Sequence, residues 1–338
     1  MVDIQRLGRH RRAAQEQAGK TGSRRRTRLV TAIVATGLAV TLIGALVVHG
    51  IRHPVPAGHP APRHSGLPAV PESYLGLYSH GAPASFAPVR AFATATGVKP
   101  NVVVYYSGWL EPFKTAFAKT AASEGAIPLV QINPTRTSVA TIATGYYDGY
   151  LTAYAKAIRS YHRPVILSFG HEMNGYWYSW GHKHTSPATF VAGWRHIVKL
   201  FRALGTKNVT WLWTVNIIHR QAGVPSPGPW WPGSSYVNWV GVDGYFIKSS
   251  AVFASVFGPT IVYLRSLTHD PIIITETSAT PHRIQASKIT DIFAGVHLYG
   301  LLGFVWFNSV DKVDWRITGP AAIAAFRQGA AAYRRATS

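Results

Sequence analysis

Beyond residue 72 the chain alternates eight times between a short run of β-branched and aromatic residues and a longer stretch of helical composition, and few folds accept that alternation. The strand-like runs are residues 74–79, 101–106, 127–132, 164–169, 208–214, 237–242, 271–275 and 301–307. Between most of them lie Ala-rich segments with apolar residues three and four apart, such as 148–161 and 188–204, the spacing of one helix face. Strands alternating with helices predict βα units and a parallel sheet. Eight such units in about 265 residues match the size of an α/β fold of the closed (β/α)8 TIM barrel type. An open doubly wound sheet is the alternative, but no Gly-x-Gly-x-x-Gly supports it. Residues 217–236 break the alternation with a Pro/Gly-rich stretch containing Trp230-Trp231, and read as a long loop.

Two of the strand-like runs end in glutamate. One is Pro164-Val-Ile-Leu-Ser-Phe-Gly-His-Glu172, the other Pro271-Ile-Ile-Ile-Thr-Glu276. Only 13 of the 338 residues are acidic, and after position 72 the glutamates are Glu111, Glu124, Glu172 and Glu276. In a barrel, functional groups gather where strands end, so carboxylates after the fourth strand and on the seventh aim across one mouth. All 11 tryptophans also lie beyond residue 72. Paired carboxylates and flat aromatic faces are what a retaining glycosidase requires, with one acid for the leaving oxygen and one nucleophile. Glutamates that merely cap helices or pair with arginine are the structural alternative. The pair His171-Glu172 also invites a zinc-protease reading, but His-Glu-x-x-His fails because position 175 is Gly. Zero cysteines exclude disulfides and thiolate metal sites.

The motif His171-Glu172-Met173-Asn174-Gly175, followed by Trp177 and Trp180-Gly181, resembles the acid/base signature of glycoside hydrolase family 26. The resemblance runs from Tyr74 to Arg316 and takes in Tyr147-Asp148-Gly149-Tyr150. It implies a (β/α)8 barrel with Glu172 as acid/base and Glu276 as nucleophile. Glu172 must stay protonated until it donates, and Trp177 and Trp180 are expected to help by excluding water. Tyr245, in Val240-Gly-Val-Asp243-Gly-Tyr245, is expected to hydrogen-bond the nucleophile, and His171 to contact sugar. Trp306 resembles the strand-eight tryptophan beneath the sugar at the cleavage point. Trp109 is a second candidate platform, and Asn174 is expected to orient its loop or a sugar hydroxyl. Asp243 has a structural or substrate-orienting reading. Many mannan-cleaving members carry an Arg-Pro pair just before the His-Glu, where this chain has Ser168-Phe169-Gly170. The family also includes enzymes for β-1,3-xylan and mixed-linkage β-glucan, so the implied substrate is a β-linked polysaccharide of β-mannan or β-glucan type. The mechanism implies no metal or organic cofactor. A catalytically silent carbohydrate-binding barrel and an accessory protein of exopolysaccharide export are the alternatives from other classes.

The N-terminal quarter has a different character. Residues 1–28 hold nine Lys or Arg, and residues 29–48 run for 20 positions without a charge, about the length of a helix that crosses a bilayer. The basic flank predicts a cytoplasmic tail at 1–28, a transmembrane signal anchor at 29–48 and an extracytoplasmic domain at 73–338. Secretion after signal cleavage is the alternative, though the apolar run exceeds the usual signal-peptide core. Residues 49–72 are rich in Pro and His and read as a semi-rigid spacer. The 73–338 region carries 23 Lys and Arg against 10 acids, an excess of +13 that favours anionic surroundings. Its basic residues are scattered and match no nucleic-acid-binding signature, so nucleic acid is not expected as a partner. The expected partners are a polysaccharide and, through the anchor, a membrane, with the protein itself a monomer.

Overall fold

A computed structural model describes residues 66–337, with side chains through Tyr333. The expected tail, anchor and most of the spacer lie outside the described residues. Among the described residues no helix is long and apolar enough to cross a membrane.

The strands are β1 (Tyr74–Ser79), β2 (Val102–Gly108), β3 (Ile127–Asn133), β4 (Val165–Phe169), β5 (Val209–Asn216), β6 (Trp239–Asp243), β7 (Ile272–Thr277) and β8 (Gly303–Asn308). They pair in parallel, each with the next, and β8 returns to β1, so the sheet is a closed barrel in sequence order. The sheet has no free edge for another chain to extend. All eight strand-like runs of the sequence are present.

Side chains alternate along each strand between two apolar layers. Tyr74, Val102, Leu129, Ile166, Leu212 and Ile273 belong to the cluster that fills the barrel. Their strand neighbours, among them Leu75, Val103, Val130, Leu167, Trp213 and Ile274, belong to the cluster that meets the helices. The longer helices follow the pattern read from sequence. In α4 (Asp148–Tyr161) the buried residues are Leu151, Tyr154, Ala155, Ile158 and Tyr161, one stripe at helical spacing. The preceding helices are α1 (Ala87–Thr96), α2 (Thr115–Ser123) and α3 (Val139–Ala143). Helix α5 (Pro187–Ala203) starts at Ser186, whose side chain accepts from Thr189 N, with proline in the first turn.

No α-helix joins β5 to β6. Pro225, Pro227, Pro229 and Pro232 deny the stretch a run of backbone donors, and it folds as three 3-10 turns. Helix α5 pins it: Trp194 Nε1 donates to Tyr236 O at 3.1 Å and Arg195 Nε to Pro232 O at 2.8 Å. Beyond β6 come α6 (Phe253–Val256), α7 (Gly258–Leu267), α8 (Gln285–Leu298) and α9 (Pro320–Thr337).

The described end of the expected spacer is not extended away from the domain. Leu67 N donates to Thr210 Oγ1 at 2.9 Å, Tyr74 Oη donates to Pro68 O at 2.7 Å, and Leu67 packs on the inner cluster. Residues 66–72 thus cover the amino-terminal end of the barrel, leaving the carboxyl end for chemistry.

Closure of the barrel depends on a glycine. Gly303, at φ +151°, lets β8 approach β1 so closely that an added Cβ would lie 1.7 Å from Tyr74 O. Gly149, inside α4, has nothing within 4 Å of the equivalent position. We expect Gly303→Ala to cost roughly 3–5 kcal/mol or to prevent folding, and Gly149→Ala to be neutral or to stabilise by up to about 1 kcal/mol. Thermal unfolding of the two variants checks both.

Candidate active site

Glu172 reaches the barrel mouth because β4 ends in a tight turn. Inward-facing Ile166 and Ser168 set the parity, and Gly170 and Glu172 both take positive φ, at 56° and 54°. For a glutamate that backbone is unfavourable and is held by its surroundings. Glu172 N donates to Thr214 O at 2.9 Å, and His182 N closes the following loop on Met173 O at 2.8 Å. The carboxylate is fully buried and accepts two bonds, from Trp177 Nε1 at 2.8 Å on Oε2 and from Asn216 Nδ2 on Oε1. Gly175 makes the first possible, since a Cβ there would meet the Trp177 ring at 2.3 Å.

Asn216, at the end of β5, is itself held. Asn174 Oδ1 accepts from Asn216 N at 2.9 Å, and Asn174 Nδ2 donates to Asn216 O at 2.9 Å and to Pro225 O at 3.2 Å. The amide of Asn174 therefore clamps backbone, and Asn216 carries the contact to the carboxylate.

Glu276 needs a different device. Alternation from inward Ile273 would turn it toward the helices, but the pairing of β7 shifts register on both sides. Val242 pairs with Ile274 and Asp243 with Glu276 on one flank, and the β8 pairing slips between Ile274 and Thr277 on the other. Such an irregularity re-aims a side chain, here into the mouth. The Glu276 carboxylate accepts from the Tyr106 hydroxyl. Burial, and next the negative charge of Glu276, push the Tyr106 phenol well above its usual range, so it remains a donor. Asp243, fully buried, accepts from Thr275 Oγ1 at 2.6 Å. Oxygens of Glu172, Asp243 and Glu276 all lie within 4.8 Å of one another. Each of the three carboxylates accepts from a protein N–H or O–H donor.

The cleft above Glu276 has a volume of about 540 Å3. Tyr78, Tyr106, His171, Tyr245, Phe307 and Trp315 supply its ring surface, and Glu111, Lys114 and Asp311 its rim. Phe307 stacks on Tyr78 at 4.7 Å, and Tyr245 packs on Trp315 at 4.7 Å. Burial, helped by Glu276 and Asp311, pushes the Tyr78 phenol up to about 12.

Residues 115–266 match the sequence model of Glycosyl hydrolase family 26. Endoglucanase H of Acetivibrio thermocellus is 30% identical over 257 residues, covering 71% of this chain and 28% of that protein. The chain belongs to glycosyl hydrolase family 26. A β-1,3-xylanase from a Vibrio species is 26% identical over 214 residues, covering 60% of this chain and 44% of the relative. The chain thus spans less than half the length of either curated relative. Among solved structures, a family 26 β-mannanase from Bacteroides ovatus shares the fold at a TM-score of 0.58 and 15% identity, over 78% of this chain and 90% of that one.

In this family 26 barrel the residues singled out from sequence divide into two groups. Glu172, Glu276, His171, Trp177, Asn174 and Tyr245 come together at the mouth. His171 lines the cleft, with Nδ1 bonded to Asn133 Oδ1 at 2.9 Å and Nε2 to the Tyr178 hydroxyl at 3.2 Å. Three tryptophans are placed otherwise. Trp306 is fully buried and faces outward against Phe326 of α9, because Val305 takes the inward position beside it. Phe307, one residue on, presents its ring to the cleft instead. Trp180 is buried, stacks on Tyr178 at 4.2 Å and donates to His171 O at 2.8 Å, so it braces the motif from behind. Trp109 is 8% exposed within an aromatic group with Tyr147, Tyr150 and Phe169.

Sequence reading passed over Tyr106, Asn216 and Phe307. Strand parity offers the signal: Val102 and Val104 face inward, so Tyr106 does, and Leu212 carries the same parity to Asn216. Tyr106→Phe keeps the ring and removes a donor to a buried carboxylate. We expect kcat to fall roughly ten- to a hundredfold and the fold to lose about 1–3 kcal/mol, as checked by steady-state kinetics on a cleaved substrate and by thermal unfolding.

Proposed function

We propose that the chain is a retaining β-glycoside hydrolase that cuts a β-linked polysaccharide of β-mannan or β-glucan type by double displacement. The observation that carries the reading is the approach of the Glu172 and Glu276 oxygens to within 4.8 Å. Direct attack by one carboxylate requires the pair roughly 5–5.5 Å apart, whereas a route through an intervening water needs about 6.5–9.5 Å.

In the first step the Glu276 carboxylate attacks the anomeric carbon from the face opposite the leaving group. The glycosidic C–O bond breaks as Glu172 gives its proton to the departing oxygen. A covalent glycosyl ester on Glu276 results. Water then enters on the Glu172 side, gives a proton to that carboxylate and attacks the anomeric carbon, which releases Glu276 and restores both groups. Tyr106 stabilises Glu276 as an anion before attack and after release, and Asn216 with Trp177 holds Glu172 in line. Tyr78 and Phe307 offer the apolar ring surface that a pyranose C–H face requires.

The names of the relatives support this class: an endoglucanase, a β-1,3-xylanase and β-mannanases. The uncharged run at 29–48 behind its basic flank supports a membrane-anchored, extracytoplasmic enzyme. Reducing-sugar release from β-mannan, lichenan, laminarin and β-1,3-xylan tests the proposal. We expect release from at least one polymer and a loss of roughly 10⁴-fold or more in Glu276→Ala. Folded protein that releases nothing from any of them, or a Glu276→Ala variant that remains active, would contradict it.

A further inference from the structure

From Met173 to Val242 the chain contains no Asp or Glu, while it contains six Lys or Arg and four His. Of these, Lys183, Arg220, His182, His184 and His219 lie in the loops after β4 and β5, the side of the mouth occupied by Glu172, and the rest belong to α5 and its link to β5. The loops touch Glu172 through a short series of contacts. Trp177 donates to the carboxylate at 2.8 Å, and Tyr176 packs edge-on against Trp177 at 5.4 Å. Lys183 Nζ lies 5.5 Å from the centre of the Tyr176 ring, and His184 Nε2 meets Tyr176 O at 2.9 Å. From the β5 side, the turn closed by His219 and Val224 sets Gly223 against the same ring, with Arg220 at its tip.

Lys183, His184, His219 and Arg220 are all exposed, and Lys183 takes a positive φ of 73°. The neighbouring His182 is held below its usual range by burial, then by the charges of Lys183 and His184, as expected where cations crowd together. Across the cleft the rim is mixed: Glu111, ion-paired with Lys114 at 3.2 Å, and Asp311 line the Glu276 side. The Glu172 side of the mouth thus offers cations with no acidic residue between Met173 and Val242, whereas the Glu276 side carries both signs.

A polymer laid across such a mouth meets the basic loops with the sugars beyond the leaving oxygen, since the proton donor marks that side. Neutral sugars gain little from clustered ammonium and guanidinium groups, whereas an anionic substituent gains both attraction and charge-assisted hydrogen bonds. Resting on the hydrolase reading above, we propose that the natural substrate is an acidic β-linked polysaccharide, and that Lys183 and Arg220 recognise negatively charged groups on its leaving-side sugars.

The test compares a neutral polymer that the enzyme cuts with the same polymer partly oxidised to uronate or partly sulfated. Higher kcat/KM on a charged form at low salt is expected, falling by about fivefold or more at high salt through screening. Lys183→Ala/Arg220→Ala should collapse the ratio of charged to neutral kcat/KM toward one. Uronate preferred over sulfate, or the reverse, names the anion. A charged-to-neutral ratio at or below one, or a preference indifferent to salt and to the double variant, overturns the proposal. Binding of the same polymers to Glu276→Ala separates the two readings: salt-sensitive preference for the charged form without turnover by the intact enzyme sinks the hydrolase and keeps the recognition, and equal binding sinks the recognition alone.

Discussion

Two glutamate carboxylates whose oxygens lie within 4.8 Å of each other, away from bulk water, are the constraint on which the rest of this structure depends. Like charges so placed repel, and burial penalises each of them. The fold answers with donors. Tyr106 serves Glu276, Trp177 and Asn216 serve Glu172, and Thr275 serves the neighbouring Asp243. Each donor comes from the carboxyl end of a strand or the turn just beyond it. The barrel is thus less a container for the site than the means of bringing four or five strand ends to one point. Closure through Gly303 holds these ends around one mouth, and residues 66–72 cover the opposite end.

Much of this was legible in the sequence. The eight strand-like runs, the missing helix between β5 and β6 and the placement of both glutamates at the mouth follow from composition, proline and spacing. The motif around Glu172 was legible because its contacts are local: Trp177 donates to Glu172 and Trp180 to His171 O, each within nine residues. Other features were not, since they are set by neighbours distant in sequence. The register shifts that turn Glu276 inward depend on how β6 and β8 flank β7. Trp306 illustrates the opposite error, in which a motif outweighs parity: Val305 faces the barrel, so the tryptophan must face the helices and Phe307 the cleft. Likewise Asn174 was noticed because it adjoins the glutamate, while Asn216, which makes the contact, stands 42 residues further on.

The division of the mouth ties chemistry to recognition. Under the double displacement proposed above, proton donation and nucleophilic attack belong to opposite sides of a glycosidic bond; the loops flanking Glu172 carry cations, while the Glu276 side carries both signs. The Glu276 side presents stacked rings, Tyr78 on Phe307 and Tyr245 on Trp315. The Glu172 side presents Trp177 with Tyr176 packed on it and Lys183 over the Tyr176 ring.

The most direct measurement of the central claim is the anomeric configuration of the first sugar released, followed by proton NMR before mutarotation blurs it. If Glu276 attacks directly, as proposed, the product should appear first as the β anomer, with configuration retained. Initial release of the α anomer would show a single displacement by water and would contradict the roles assigned to both glutamates.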